Sequence, residues 1–401
     1  FESYKPNHHG KKMGATSSKF PVPLGEITTY PQRQYPAPIS WLTEMRGLFS
    51  PYAYLMVAWD ILEQKYHVKP SLIDAACVDR MKNKMVIVTG ANAGVGKDTA
   101  KWFYSNGANV IIACRSEERG MDAIRDIERQ VASDRAIDTL ITKKEQAPLG
   151  TMKFMSLDLD SQSSIRSFAS KIEEKNQKVD YLILNAGIMS VPYSAGNKDH
   201  VPESHFAVNH LGHFLLTILV LPHMNLQSGR IVSVSSLAYL FHNLRLDDMT
   251  FKKHRYDPFE AYAGSKLCNI LFTKCLARKI KTSRAKKEKS SCSITINAVH
   301  PGMIVTEIAR NLGDLIHRAY QLTFQYILLT PMEGAISSVF AATSPKLDSI
   351  SGEFLIHATR TFEPIPKECN AQLEDQLWDM SLSLARVSDS ELAKFQEALD
   401  S

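Results

Sequence analysis

Met85-Val86-Ile87-Val88 is a short apolar run that passes directly into Thr89-Gly90-Ala91-Asn92-Ala93-Gly94-Val95-Gly96, and Ala100, Trp102 and Phe103 then fall at helical spacing. A buried strand, a glycine-rich turn and a helix start packed so closely leave the chain little conformational choice. Gly90 would permit the tight turn and Gly94 a close approach of backbone to a ligand. Gly96 would let the helix pack near the strand. Further strands are predicted at Asn109 to Cys114, at Met152 to Leu157 ending on Asp158 and Leu159, and at Asp180 to Leu184 ending in Asn185-Ala186-Gly187. Strands alternating with helical patterns predict an α/β fold with a parallel, doubly wound sheet.

A turn of this kind opening a helix is how a Rossmann-type fold holds a dinucleotide. The free N–H groups and positive dipole end of the helix face the phosphates. A glycine turn alone is common, so the end of the second strand decides more. It closes on Arg115, 19 positions after Gly96, where a NAD site places an acid for the ribose 2′-hydroxyl. No acid occupies that strand end, and a planar, permanently charged guanidinium suits a 2′-phosphate. The cofactor reading is NADP(H).

Tyr262-Ala263-Gly264-Ser265-Lys266 sets a tyrosine and a lysine one helical turn apart, on one face. A phenol ordinarily titrates near 10, and a neighbouring ammonium is expected to lower that value and make a usable proton donor or acceptor. By itself this spacing also fits an ordinary surface pair. Upstream, Gly229 to Ser236 reads as an apolar strand whose carboxyl end carries serine hydroxyls, where open α/β sheets place ligands. Asn209 lies inside a long helical stretch, a placement that suits either a solvent-facing residue or a buried polar role. His210 and His213 read as packing or surface histidines.

The remaining composition bounds the answer. The 401 residues are 44% hydrophobic and 22% charged with a net charge of +5, values of a globular chain without a nucleic-acid signature. Seven basic residues crowd positions 278–289, read as a solvated surface loop. The six cysteines form no CxxC pair or zinc spacing, and no metal site is expected. Their scatter suggests reduced thiols and a cytoplasmic setting, with peripheral membrane contact left open. No run reaches the roughly 20 apolar residues of a membrane span, and Tyr52 to Leu62 and Phe214 to Leu221 read as buried or interfacial. Met13-Gly14-Ala15-Thr16-Ser17-Ser18 fits an N-myristoylation pattern if Gly14 becomes the N-terminus. The expected division is a disordered tail over 1–40, a helical extension over 41–80, one catalytic domain over 81–360 and a helical tail over 361–401.

Taken in order, Thr89-Gly90-x3-Gly94-x-Gly96, Asn185-Ala186-Gly187, Asn209, Ser236, Tyr262-x3-Lys266 and His300-Pro301-Gly302 resemble the short-chain dehydrogenase/reductases across about residues 84–360. Val208 to Phe214, Ser265 to Phe272 and Asn297 to Gly302 are most similar to the WW-domain-containing oxidoreductase and retinol dehydrogenase branch, although no WW domain precedes them. The resemblance implies that Tyr262 is the acid/base, that Lys266 binds the nicotinamide ribose and lowers the tyrosine pKa, and that Ser236 hydrogen-bonds the substrate oxygen. It implies that Asn209 orders a water linking Lys266 to solvent. It also implies cofactor contacts for Thr89, Gly90, Asn92, Gly94, Val95, Gly96, Arg115, Asp158, Leu159, Asn185, Ala186 and Gly187. The Pro301-Gly302 to Thr306 loop would lie beside the nicotinamide.

Leu312, Leu315, Ile316, Tyr320, Leu322, Phe324, Tyr326, Ile327 and Leu328 follow that loop. They read as a lid over a small lipophilic alcohol or carbonyl, of retinoid, steroid or fatty aldehyde type, against core packing as the alternative. The rival to an enzyme is a non-enzymatic NADP(H)-binding scaffold, and a homodimer stays open.

Overall fold

Strand formation follows the runs of β-branched and apolar residues: β1 Met85–Thr89, β2 Asn109–Cys114, β3 Thr151–Ser156, β4 Tyr181–Leu184, β5 Arg230–Val234, β6 Thr295–Val299, β7 Phe354–Ile356 and β8 Arg360–Thr361. The computed structural model describes residues 51–142, 148–193, 203–242, 244–249, 251, 253–286, 292–304, 328–361 and 370–401. One sheet holds all eight strands in the order β3-β2-β1-β4-β5-β6-β7-β8. The first seven are parallel, and β8 pairs antiparallel with β7. The expected doubly wound parallel sheet is the one that forms. Its strand ends fall within a residue or two of the expected ones.

Parallel strands need cover on both faces, and the side-chain alternation supplies it. Val86, Val88, Val110, Ile112, Ile183 and Val232 point to one side and pack with helices α3 (Gly94–Ser105), α4 (Glu117–Thr142) and α8 (Pro331–Thr343). Ile87, Ile111, Leu182, Leu184 and Ile231 point to the other, toward α5 (Gln162–Glu174), α6 (204–220) and α7 (Pro258–Lys286). Helix α6 runs through Ser204–Phe206, a π-helical segment Ala207–Leu211 and Gly212–Val220. It belongs to the one described helical stretch, Ser204–His223, long and apolar enough to cross a membrane. That stretch is 83% buried and forms the middle of the core.

Two further helices, α9 (Ala371–Leu384) and α10 (Asp389–Asp400), close over α6 and α7. Trp378 meets Phe214 edge-on at 5.0 Å and stacks on Phe272 at 6.2 Å, with Phe395 beyond it at 5.9 Å. Here the basic run departs from expectation. Arg278 to Lys286 form the last turns of α7 rather than a loop, because this face has partners. Arg278 pairs with Glu374 and Asp375, and Lys279 lies 4.8 Å over the Trp378 ring. Helix α1 (Pro51–His67) and the short α2 (Ala75–Val78) precede β1. The tail 1–40, Gly14 and Cys369 lie outside the described residues.

Candidate active site at the carboxyl edge of the sheet

Strand order reverses between β1 and β4, so their carboxyl ends open a crevice where doubly wound sheets take ligands. The turn after β1 forms its floor. Gly90 has φ +67° and Gly94 φ +54°, both in the left-handed region. A Cβ on Gly90 would stand 2.9 Å from the Ala186 Cα, and one on Gly96 would collide with Asn185 Nδ2 and the Gly90 carbonyl. Helix α3 starts at Gly94 without a side-chain cap, which leaves first-turn N–H groups for an anion, beside Asn92 and Val95. Arg115 is exposed at the end of β2, with no hydrogen bond or ion pair to a described residue. Half-buried Asp158 and buried Leu159 follow β3 at the next position along the same edge. These residues fit a dinucleotide.

Thr89 and Asn185 do more within the protein than expected. The Thr89 hydroxyl accepts the Asn185 and Ala186 N–H groups at 2.9 Å each, and Asn185 Nδ2 donates to the Thr89 carbonyl at 2.9 Å. They clasp β1 to β4 and fix the crevice.

At the catalytic end, Tyr262, Lys266 and Ser236 are all buried and share one wall. Lys266 Nζ lies 5.6 Å from the Tyr262 ring centroid and donates to the Val234 carbonyl at 3.0 Å. Gly187 sits beside it, for a Cβ there would be 3.4 Å from both Lys266 Nζ and Asn209 Oδ1. Ser236 caps the short helix Leu237–Phe241, accepting the Ala238 N–H at 3.1 Å. Burial sets the ionisation. The Tyr262 phenol is pushed up to about 12, drawn back only by Ser236. Burial likewise pulls Lys266 down to about 8. The expected lowering of the tyrosine by its lysine is therefore absent here. Desolvation outweighs an ammonium this far away, and Tyr262 is a neutral phenol at neutral pH.

Asn209 is held within the protein by its side-chain amide: Oδ1 accepts the Ile188 N–H at 2.8 Å, and Nδ2 donates to the Ile188 carbonyl at 3.0 Å and to Ser265 Oγ at 2.9 Å. The side chain ties the loop after β4 to α7. The π-helical segment explains why a helix-interior asparagine is tolerated, since it widens the turn and frees backbone carbonyls.

Sequence reasoning missed several participants. His213 is buried and links Thr89 Oγ1, at 2.9 Å from Nε2, to the Asn209 carbonyl, at 3.0 Å from Nδ1. His205, held by Glu203 at 2.6 Å, meets the Tyr262 ring edge-on at 6.4 Å. His300, which precedes Pro301-Gly302, is buried and accepts the Leu237 N–H at 3.4 Å, one residue after Ser236. A helical period placing His213 four residues from Asn209 was the one available signal. Pro301 and Gly302 line the crevice edge after β6, while Thr306 and the expected lid from Leu312 to Ile327 lie outside the described residues. Leu328 is buried.

The family model described as short chain dehydrogenase matches residues 84–315. The chain belongs to the short-chain dehydrogenase family, and it is an oxidoreductase. Human retinol dehydrogenase 12 is 35% identical over 309 residues, 77% of this chain and 88% of that one. Human retinol dehydrogenase 11 is 32% identical over 345 residues, 85% and 98% of the two chains. These relatives place the protein on the retinol dehydrogenase branch. A crystal structure of an uncharacterised protein from Mycobacterium Paratuberculosis is similar, with a TM-score of 0.56, 30% identity and coverage of 77% of this chain and 97% of that one.

Proposed function

We propose that this oxidoreductase uses NADP(H) and acts on a lipophilic alcohol or carbonyl, with Tyr262 as its acid/base. The observation that carries the reading is the buried, neutral Tyr262 beside Ser236 and Lys266, on the same sheet edge as an exposed Arg115. Bound NADP(H) supplies the hydride for reduction, or accepts it in oxidation. Tyr262 Oη holds the proton that a developing alkoxide needs, and its raised pKa keeps that proton in place at neutral pH. Ser236 Oγ orients the substrate oxygen toward the phenol. Lys266, fixed by the Val234 carbonyl, offers its remaining N–H groups to the ribose hydroxyls. Arg115 pairs with the 2′-phosphate.

The names of the relatives and the apolar residues after Gly302 support a retinoid-like substrate. Peripheral membrane contact belongs to the same reading, because α1 leaves Tyr54, Leu55 and Leu62 at 56%, 62% and 76% exposure on its outer face. The test is NADPH oxidation with all-trans-retinal and a panel of apolar aldehydes and ketones, comparing the natural chain with Tyr262→Phe. Turnover should fall roughly 10²- to 10⁴-fold in the variant while NADPH binding persists. Equal turnover removes Tyr262 from the chemistry. Tight NADPH binding without turnover of any substrate turns the reading toward a scaffold.

A further inference from the structure

Helix α1 precedes the stretch that the family model matches, and its inward face is polar at two buried positions one turn apart. Asp60 is 1% exposed and Gln64 fully buried. Asp60 accepts from two imidazoles: His300 Nε2 at 3.1 Å and His357 Nε2 at 2.7 Å. His300 then turns its other nitrogen to accept the Leu237 N–H at 3.4 Å, one residue after Ser236. Gln64 Oε1 accepts the Met303 N–H at 2.7 Å, in the segment that follows Pro301 and Gly302. It packs so closely on Gly302 that a Cβ there would stand 2.9 Å from Oε1. One turn of α1 thus holds both segments that flank the catalytic wall.

Apolar residues at 60 and 64 would cover this edge without desolvating a carboxylate, which costs several kcal/mol unless it is paired and hydrogen-bonded. Burial works against the Asp60 charge, yet the two imidazoles hold the carboxylate below its usual range. Asp60 Oδ2 and Gln64 Oε1 each meet a donor from the segment 300–303, and Asp60 Oδ1 meets His357 from the turn between β7 and β8. Lys65, on the same helix, makes a different contact, pairing at 2.9 Å with Glu333 at the start of α8.

We propose that Asp60 and Gln64 are positioning residues of the active site, fixing segments 235–237 and 301–303 against the nicotinamide half of the cofactor. The inference rests on the NADP(H) reading and adds to it a helix outside the matched domain. Its test separates the two halves of the nucleotide. NADPH and 2′,5′-ADP, which lacks the nicotinamide, are titrated against the full chain and three variants by fluorescence and calorimetry. Gln64→Met keeps the volume but removes the acceptor for Met303. Asp60→Asn presents an N–H to one imidazole, and Lys65→Met breaks only the Glu333 pair.

Gln64→Met and Asp60→Asn should each weaken NADPH about tenfold, the equivalent of one lost hydrogen bond, and leave 2′,5′-ADP unchanged. Lys65→Met should bind both ligands like the natural chain. The proposal is overturned if Gln64→Met and Asp60→Asn bind NADPH normally, or lose both ligands equally as a general loss of structure would produce. A natural chain that prefers NADH overturns the NADP(H) reading alone, and the same comparison is then read with NADH and AMP. A chain that binds neither dinucleotide overturns both.

Discussion

Replacing His210 with glutamine should flatten the acid side of the stability curve. His210 lies inside the core against Phe206, Phe214 and Phe272, with ring centroids at 5.1, 6.2 and 6.1 Å. Its Nε2 is 3.0 Å from Ser381 Oγ, a contact that a glutamine amide can also make. Burial pulls its pKa from the ordinary 6.5 to about 3, with Asn269 offsetting only part of that shift and His213 adding to it. Between those values the unfolded chain binds a proton that the native state refuses. Folding stability attributable to this group is therefore intact above pH 6.5 and declines as pH falls, by about 1 kcal/mol per pH unit. By pH 5 the loss is about 2 kcal/mol, a large fraction of a typical folding free energy. Glutamine does not titrate, so the variant lacks this slope. Urea denaturation at pH 7.5, 6.5, 5.5 and 5.0 reads the difference. The two stabilities should converge by about 2 kcal/mol over the acid range, with the similarly buried His213 contributing equally to both. Parallel curves would refute the reasoning, for they would mean that His210 protonates in the folded protein or that the site opens to water first.

Two further outcomes test the packing and the cofactor reading. Trp378→Ala removes a side chain that is 4% exposed and wedged among Phe214, Phe272 and Phe395. It should cost about 3–5 kcal/mol of unfolding free energy, read as a lowered urea midpoint. Arg115→Asp should raise the Kd for NADPH roughly 10- to 100-fold and improve that for NADH. An unchanged NADPH-to-NADH ratio would remove Arg115 from the 2′-phosphate.

What the sequence by itself determined is what neighbouring residues dictate together. The apolar run at 85–88 with its glycine turn, the alternation of strand and helix patterns, and the one-turn spacing of Tyr262 and Lys266 are local signals. They were enough for the sheet and for the glycine turn that opens its crevice. Tertiary structure decided whatever depends on partners far along the chain or on exclusion of water. Asp60 meets His300 and His357 across 240 and 297 positions, and no local pattern announces such a match. Arg278 and Lys279 read as a solvated loop until α9 supplied Asp375 and the Trp378 ring that make them part of a helix–helix contact. The Tyr262 phenol rises rather than falls because its ionisation answers to burial, a quantity set by every element packed around it.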